Sequence, residues 1–217
     1  VLSPSARAVL SEFIAAFPST RVYAYTMYPD GARRSAWERC YGPSPVPSIA
    51  WDRAEVILAL ESDFLGTEGG TVEATRRFAA GRDAVGGRGT NRLYAVEGTM
   101  TLTGANADYR LRLSPDAQGE LVAALISAIG GQVPGGISLK TAAERHGLAL
   151  ETLERLVADL LEKKGKAMVH AGDTLPEAVH VAVNYLNELL GNYTLYDMQS
   201  ARHGGLPHAT DGEMEAL

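Results

Sequence analysis

The sequence contains very little cysteine and no excess of basic charge. Cys40 is the only cysteine among the 217 residues, so the chain cannot form an internal disulfide. An iron–sulfur cluster usually takes about four thiolates, so we expect no cluster in this chain. The net charge of −6 argues against a nucleic-acid surface, which needs clustered basic residues. We expect Cys40 to be a small, partly buried residue rather than a reactive thiol.

Long apolar runs are also missing from the sequence. No run approaches the roughly 20 residues of a membrane-spanning helix, so we expect no direct membrane insertion. No signal peptide stands at the start, where the first residue is Val1 rather than Met. The last residues, Asp211–Leu217, have the pattern of a helix that is just beginning. We therefore expect a fragment of a longer chain, and the 46% of hydrophobic residues is enough for a full core.

Runs that predict strands alternate along the chain with segments of helical periodicity. The expected strands are Arg21–Tyr25, Val56–Leu60, Leu93–Val96, Tyr109–Leu113, Ala167–Ala171 and Tyr193–Tyr196. The expected helices are Pro4–Phe17, Ala32–Tyr41, Thr71–Ala80, Pro115–Ile129, Ser138–His146, Leu150–Lys164 and one that begins at Pro176. This alternation predicts a Rossmann-like three-layer α/β sandwich with a mostly parallel sheet of about six strands. We expect a single domain over residues 1–217, in which the glycine-rich segment 130–136 is the best candidate for an internal linker.

Polar side chains follow two of the predicted strands. Ser62 and Asp63 come after Val56–Leu60, while Glu97, Thr99 and Thr101 come after Leu93–Val96. Ligands of parallel α/β sheets bind outside the carboxyl ends of the strands, and an acid at such a position often binds a ribose hydroxyl. These side chains are therefore candidates for a nucleotide site. The glycine-rich loop Gly81–Thr90 fits neither the Rossmann nor the P-loop pattern, and we expect a mobile loop there.

The sequence also contains features of a nucleic-acid-binding protein and of an enzyme. Residues 138–170 have a helix–turn–helix pattern, but the second helix carries four acids that would repel phosphate, so two packed helices are the better interpretation. The acids are Glu151, Glu154, Asp159 and Glu162. For an enzyme, the chain lacks a Gly-x-Ser-x-Gly elbow, and no paired carboxylates stand out.

The histidines offer little to a catalytic or metal site. His170 and His180 flank a Gly-Asp pair and could converge at a strand end, although histidines satisfied within the structure are the simpler interpretation. His203 and His208 have a weak metal-ligand spacing without a carboxylate or thiolate nearby.

Four stretches, in order along the chain, resemble the molybdopterin oxidoreductase-like family. They are Ala54–Gly66, Asn91–Leu111, Ala171–His180 and Leu186–Asn192. The sequence is most similar to the molybdopterin-like half of the fused iron–sulfur subunit of alternative complex III, whose relatives are described as Tat-translocated molybdopterin oxidoreductases or iron–sulfur hydrogenase-like proteins. The resemblance covers most of residues 3–197.

The resemblance implies a site and also a departure from it. In relatives that carry the cofactor, residues matching Glu97, Thr99 and Thr101 contact the guanosine part of a molybdopterin guanine dinucleotide, and Ser62 and Asp63 match the polar residues after the preceding strand. The next family motif, Pro-Gly-Thr-Asp at a helix start, is Pro115–Gln118 in this chain, with the acid Asp116 in place of the glycine. An acid there favours the helix but competes with a phosphate for its positive end.

The resemblance therefore implies a domain without catalytic residues, metal or cofactor of its own. It would be a scaffold in a quinol-oxidising electron-transfer complex on the periplasmic face of a membrane. Its partners would be the iron–sulfur domain of the same parent chain and other subunits of the complex, not nucleic acid. Two alternatives stay open: a domain that binds molybdopterin guanine dinucleotide in an active molybdenum oxidoreductase, and a stand-alone nucleotide-binding module.

Overall fold

The computed structural model describes residues 3–24, 30–68, 70–83, 89–198, 209 and 211–216. Within these residues the strands are β1 (Ser48–Ile49), β2 (Val56–Leu60), β3 (Arg92–Glu97), β4 (Tyr109–Arg112), β5 (Ala167–Ala171) and β6 (Tyr196–Asp197). The helices are α1 (Pro4–Ala16), α2 (Gly31–Tyr41), α3 (Thr71–Ala80), α4 (Leu102–Ala105), α5 (Gln118–Ala128), α6 (Leu139–His146), α7 (Leu150–Glu162), α8 (Glu177–Leu189) and α9 (Asp211–Glu215). Two short 3-10 helices cover Pro115–Ala117 and Asn192–Leu195.

The central sheet is parallel throughout and has the strand order β4-β3-β2-β5. All five residues of β2 are buried, as expected for a strand with helices on both faces. The mixed α/β fold is confirmed, but the parallel sheet has four strands rather than about six. The remaining two strands, β1 and β6, form a separate antiparallel pair of two residues each. This pair is too short to extend the main sheet.

Two hydrophobic clusters, one on each face of the sheet, form the core. The larger cluster joins the sheet to apolar residues of α5, α7 and α8, such as Leu121, Leu156 and Val183. The smaller cluster lies on the opposite face, where Phe64 stacks on Trp51 and contacts Phe78 of α3. The three layers are therefore a helix layer, the sheet and a second helix layer. The segment 130–136 connects α5 to α6, two helices in contact, and its Val133 packs against the larger cluster.

Three local predictions were wrong. Among Arg21–Ala24 only Ala24 forms an isolated bridge, and Tyr25 lies outside the described residues. The predicted strand Tyr193–Tyr196 is mostly the second 3-10 helix, because Gly191 turns the chain with a φ of +68° directly after α8. Cys40 is exposed rather than partly buried.

The β5 edge of the sheet is closed by side chains. Asn187 of α8 accepts a hydrogen bond from the Val169 N–H at 3.0 Å and donates one to the Val169 carbonyl at 2.8 Å. The side-chain amide thus replaces a neighbouring strand at this position. Arg33 of α2 donates to the carbonyl of Ala171 at the end of the same strand. Within the described parts of the chain, no helix is both long and apolar enough to cross a membrane.

Candidate functional site

The carboxyl ends of the four parallel strands meet at one edge of the sheet, and the backbone is strained there. Glu61, the first residue after β2, has a φ of +46°, which is unusual for a residue other than glycine. Gly172 follows β5 and lies so close that a Cβ on it would be 1.9 Å from the Glu61 carbonyl oxygen. A glycine is therefore required where the ends of β2 and β5 approach each other.

The turn after β2 is closed by the buried carboxylate of Asp63. Its Oδ1 accepts hydrogen bonds from the N–H and the hydroxyl of Thr103 at 3.0 and 3.1 Å, and its Oδ2 accepts one from the Thr67 N–H at 3.0 Å. A Cβ on Gly66 would lie 2.1 Å from Oδ2. Asp63 therefore ties the β2 turn to α4 and uses both oxygens within the chain.

The turn after β3 is closed in the same way by Glu97. This side chain is 2% exposed and accepts hydrogen bonds from the N–H and the hydroxyl of Thr101. Arg110 of β4 forms an ion pair with it at 2.5 Å. A Cβ on Gly104 would come within 1.8 Å of Glu97 Oε1. The carboxylate that was predicted to bind a ribose is thus enclosed by its own turn.

Glu61 completes a row of carboxylates along this edge. Its Oε2 accepts hydrogen bonds from the Gly98 N–H at 2.9 Å and from the Gln118 side-chain amide at 3.2 Å. Gln118 is fully buried at the start of α5 and also donates to the carbonyl of Val96. The Oε1 atom of Gln118 has no hydrogen-bond partner among the described residues.

Asp116 lies where the family motif has glycine. It stands in the 3-10 turn that precedes α5. Hydrogen bonds from the Ser114 hydroxyl and from its own backbone N–H lower the pKa of Asp116, so the carboxylate is charged at neutral pH. The positive end of this helical segment is therefore neutralised by the chain itself.

The five predicted site residues thus lie at one sheet edge but do not form one open site. Asp63 and Glu97 are buried, and Thr101 caps α4 by accepting a hydrogen bond from the Gly104 N–H at 3.0 Å. Thr99 is exposed beside them. Ser62 is buried and faces a different group, since its hydroxyl donates to Glu68 Oε2 at 3.0 Å. Whether these residues bind a ligand stays a prediction.

A second polar cluster lies at the point where the chain reverses its direction across the sheet. The chain passes from β2 outward to β3 and β4, and then returns to place β5 on the other side of β2. Ligands of open α/β sheets bind outside the carboxyl ends of strands at such a switch point. In this chain the position is filled by a switch-point cluster, which consists of Arg33, Glu68, His170, Asp173 and His180.

Arg33 holds the switch-point cluster together. Its Nη2 lies 2.7 Å from Asp173 Oδ1, 3.4 Å from Glu68 Oε2 and 3.2 Å from His170 Nε2. His170 Nε2 is also 3.3 Å from Glu68 Oε2, and the ring stands edge-on to Trp51. Since Arg33 belongs to α2, the cluster docks this helix on the sheet edge.

The charges of the cluster follow from its burial. Burial raises the pKa of Glu68, but hydrogen bonding and charge from His170, together with Arg33 and Ser62, outweigh it and lower this pKa to about 2. Burial and the neighbouring Arg33 lower the pKa of His170, so that ring is neutral at pH 7. Burial raises the pKa of Asp173, against the opposing effect of Arg33. At neutral pH, an ionised Glu68 therefore lies beside a neutral His170.

Two nitrogen atoms of the cluster keep unused hydrogen-bonding capacity. Arg33 Nε and His180 Nε2 are buried and have no partner among the described residues. Burial is the main cause that lowers the pKa of His180 to about 4, with smaller contributions from Arg33 and His170. His170 contacts Arg33 and Glu68 at the end of β5, whereas His180 is linked to the cluster through the effect of Arg33 and His170 on its pKa, so the convergence of the two histidines stays a prediction. Arg33 and Glu68 were missed, because neither lies next to a predicted strand end.

The arrangement offers no metal centre within the described residues. No group of three or more His, Cys, Asp or Glu side chains there is placed to hold an ion. The predicted weak pair His203 and His208 lies outside the described residues, as does the central part, 84–88, of the loop Gly81–Thr90. At the carboxyl edge of the sheet, the N–H groups of Thr67, Gly98, Thr101 and Thr103 bind the chain's own carboxylates.

Two open clefts occur away from this edge. One, of about 890 Å³, lies between α3 and the β1–β6 pair, where Arg77 is paired with Asp197 and Glu73. The other, of about 750 Å³, lies at the opposite edge of the sheet and includes the pairs Arg92–Asp159 and Lys163–Glu55. In both clefts these charged side chains form ion pairs with one another. We therefore do not identify either cleft as a binding site.

No protein-family model matches this sequence, and no curated protein matches it. Among solved structures, acetylene hydratase from Pelobacter acetylenicus is similar, with a TM-score of 0.51 and 14% sequence identity. The match covers 76% of this chain and 25% of that chain, so this chain spans about a quarter of the length of that enzyme. At this identity the match shows a shared fold and nothing more.

Proposed function

We propose that this chain is a non-catalytic scaffold domain that binds no dinucleotide, within a molybdopterin-like, iron–sulfur electron-transfer subunit. The observation that carries the proposal is the row of carboxylates at the carboxyl edge of the sheet. Asp63, Glu97 and Glu61 each accept the backbone N–H groups that a phosphate or ribose would otherwise bind. Asp116 adds a fourth negative charge at the helix start.

Electrostatics explains why these carboxylates exclude a dinucleotide. A phosphate group needs free N–H donors and a positive helix end, and both are already used by the chain. A bound phosphate would also be repelled by the carboxylates of Glu61, Asp63 and the exposed Asp116, whereas the charge of Glu97 is balanced by Arg110. The edge is thus kept as a rigid part of the fold, which suits a domain that positions neighbouring domains.

The parent complex is proposed from the family resemblance. The fold shared with acetylene hydratase, a molybdopterin-containing enzyme, supports that resemblance at the level of fold. The partners would be an iron–sulfur domain of the same parent chain and other subunits of a quinol-oxidising complex at the periplasmic face of a membrane. These partners and this location belong to the proposal.

Nucleotide binding to the isolated chain tests whether the carboxyl edge of the sheet is closed to ligands, which we call the closed edge. We expect no change in thermal midpoint and no heat of binding with millimolar GDP, GTP, ATP or isolated molybdopterin guanine dinucleotide. Thr101→Val removes the hydroxyl beside Glu97, and Thr99→Ala removes the exposed hydroxyl of a second predicted contact. A guanine nucleotide that binds the wild type, and binds less tightly to either variant, would refute the closed edge and support the alternatives.

Metal analysis of the full-length parent tests the wider proposal. We expect iron without molybdenum or tungsten. Molybdenum or tungsten at about one atom per chain would instead favour the active molybdenum oxidoreductase. A parent without iron would contradict the electron-transfer assignment but leave the closed edge intact.

A further inference from the structure

The two outer strands of the parallel sheet, β5 and β4, differ in whether their outward main-chain groups have hydrogen-bond partners. At the β5 edge, the outward main-chain groups of Val169 and Ala171 bind side chains of α8 and α2. At the other edge, β4 has β3 as its only neighbour among the described strands. An open strand edge is a template for pairing with another strand.

The pairing pattern shows which groups of β4 face outward. The Leu113 N–H donates to the Glu97 carbonyl of β3 at 3.2 Å, and main-chain direction alternates along a strand. The N–H and carbonyl groups of Tyr109 and Leu111 therefore face β3, whereas those of Arg110 and Arg112 face away from it. Both arginine residues are exposed, and the described residues give their outward N–H groups no partner.

The side chains of β4 determine what can pair with it. Arg110 and Arg112 lie two residues apart and therefore project on the same face. Arg110 is paired with Glu97, but Arg112 has no ion pair with any described residue. A second copy of β4 that paired in parallel register, or antiparallel about Leu111, would place arginine against arginine, and like charges opposite each other are unfavourable.

We infer that β4 is a docking edge for an extended segment of a partner protein that carries acidic side chains at alternate positions. Such a segment would pair its main chain with Arg110 and Arg112 and place a carboxylate opposite the Arg112 guanidinium. Met100 in the turn before α4 and Leu102 at the start of α4 are exposed and provide apolar surface at the carboxyl end of the sheet. The inference rests on the proposed scaffold role and names its partner surface.

Amide hydrogen exchange in the wild-type chain tests the docking directly. The probe is a capped peptide of about eight residues with alternating glutamate and valine, and the control peptide has lysine in place of glutamate. We expect the glutamate peptide to slow exchange at Arg110 and Arg112 about tenfold or more, and to leave Tyr109 and Leu111 unchanged. The net charge of −6 would by itself favour the lysine peptide, so preference for glutamate identifies the local arginine.

Substitutions at position 112 separate main-chain from side-chain pairing. Arg112→Pro removes the outward N–H together with the guanidinium, a change that edge strands tolerate, and should abolish peptide binding; its difference from Arg112→Ala, which removes the guanidinium alone, gives the main-chain contribution. Arg112→Ala keeps the N–H and should weaken binding a few-fold, while Arg112→Glu should weaken it about five- to tenfold and favour the lysine peptide. If Arg112→Pro does not fold, a glutamate peptide with N-methylated amides replaces it.

Three results would overturn the inference. They are no protection at Arg110 and Arg112 at millimolar peptide, equal binding by Arg112→Pro, and self-association of the wild type that Arg112→Pro removes. The nucleotide experiment tests a different part of the molecule, the carboxyl edge of the sheet. Nucleotide binding would therefore refute the proposed function without changing the peptide result, and a failure of the peptide to bind would refute only the docking inference.

Discussion

Acid should destabilise this protein through His180. The side chain is 4% exposed, and burial with the nearby Arg33 and His170 lowers its pKa from 6.5 to about 4. The unfolded chain binds a proton to this ring at a higher pH than the folded chain does. The stabilisation is therefore complete above pH 6.5 and is lost as the pH falls towards 4.

The size of the effect follows from the two pKa values. One pKa unit corresponds to about 1.4 kcal/mol, so the shift to about 4 is equivalent to about 3 kcal/mol of unfolding free energy. His170 acts in the same direction, because its pKa is also lowered by burial. Glu68 contributes at more acidic pH, where its stabilisation is lost below pH 4.5 towards 2. Asp173 has a raised pKa and opposes these effects.

Urea unfolding of the wild type and of His180→Asn and His180→Leu, measured between pH 7.5 and 4, isolates the His180 contribution. Asparagine can retain the donor to the Leu175 carbonyl, whereas leucine removes all polar atoms. The free energy of unfolding should fall by about 3 kcal/mol more in the wild type than in either variant. Parallel pH curves for the three proteins would refute the assignment of a buried neutral histidine.

Two further predictions concern the packing of the site and the sheet edge. Gly104→Ala should lower the free energy of unfolding by about 2–3 kcal/mol, because its Cβ would overlap the fixed Glu97 carboxylate; Gly31→Ala, with no atom within 4 Å, should cost under about 1 kcal/mol. If Glu97→Asp fails to recover part of the Gly104→Ala loss in the double variant, the overlap is not the cause. Asn187→Leu should cost about 2–4 kcal/mol, since it leaves the Val169 N–H and carbonyl buried without partners, and Asn184→Leu on the same helix is the matched control. Equal losses for the two asparagine variants in urea unfolding would contradict this role.

The sequence predicted those elements that a local pattern determines. Val56–Leu60 and Ala167–Ala171 are apolar runs of strand length, and both are strands with the predicted bounds. Thr71–Ala80 was also predicted with its exact bounds, from its helical periodicity. Tyr193–Tyr196 has strand-like composition, but the glycine turn before it forces a 3-10 helix. Local composition could not show that β1 and β6 would pair apart from the main sheet.

The candidate site was predictable only where residues follow strands directly. Asp63 and Glu97 were found by this rule, but the rule says nothing about the hydrogen bonds that enclose them. Arg33 reaches the switch-point cluster from α2, far away in sequence, and the order of the strands brings it there. Asp116 was the one residue in the sequence that indicated an edge unfavourable to phosphate, because an acid at a helix start competes with phosphate for the positive helix end.

The strand order β4-β3-β2-β5 also has a consequence for folding kinetics. β2, β3 and β4 are neighbours along the chain, whereas about a hundred residues separate β2 from β5, so that pairing carries the larger loop-closure entropy. We therefore predict that β5 joins late, together with α8, whose Asn187 completes its outer edge. Substitutions in β5 and α8 should then mainly change how fast the native protein unfolds, not how fast it forms, which folding and unfolding rates in urea would check.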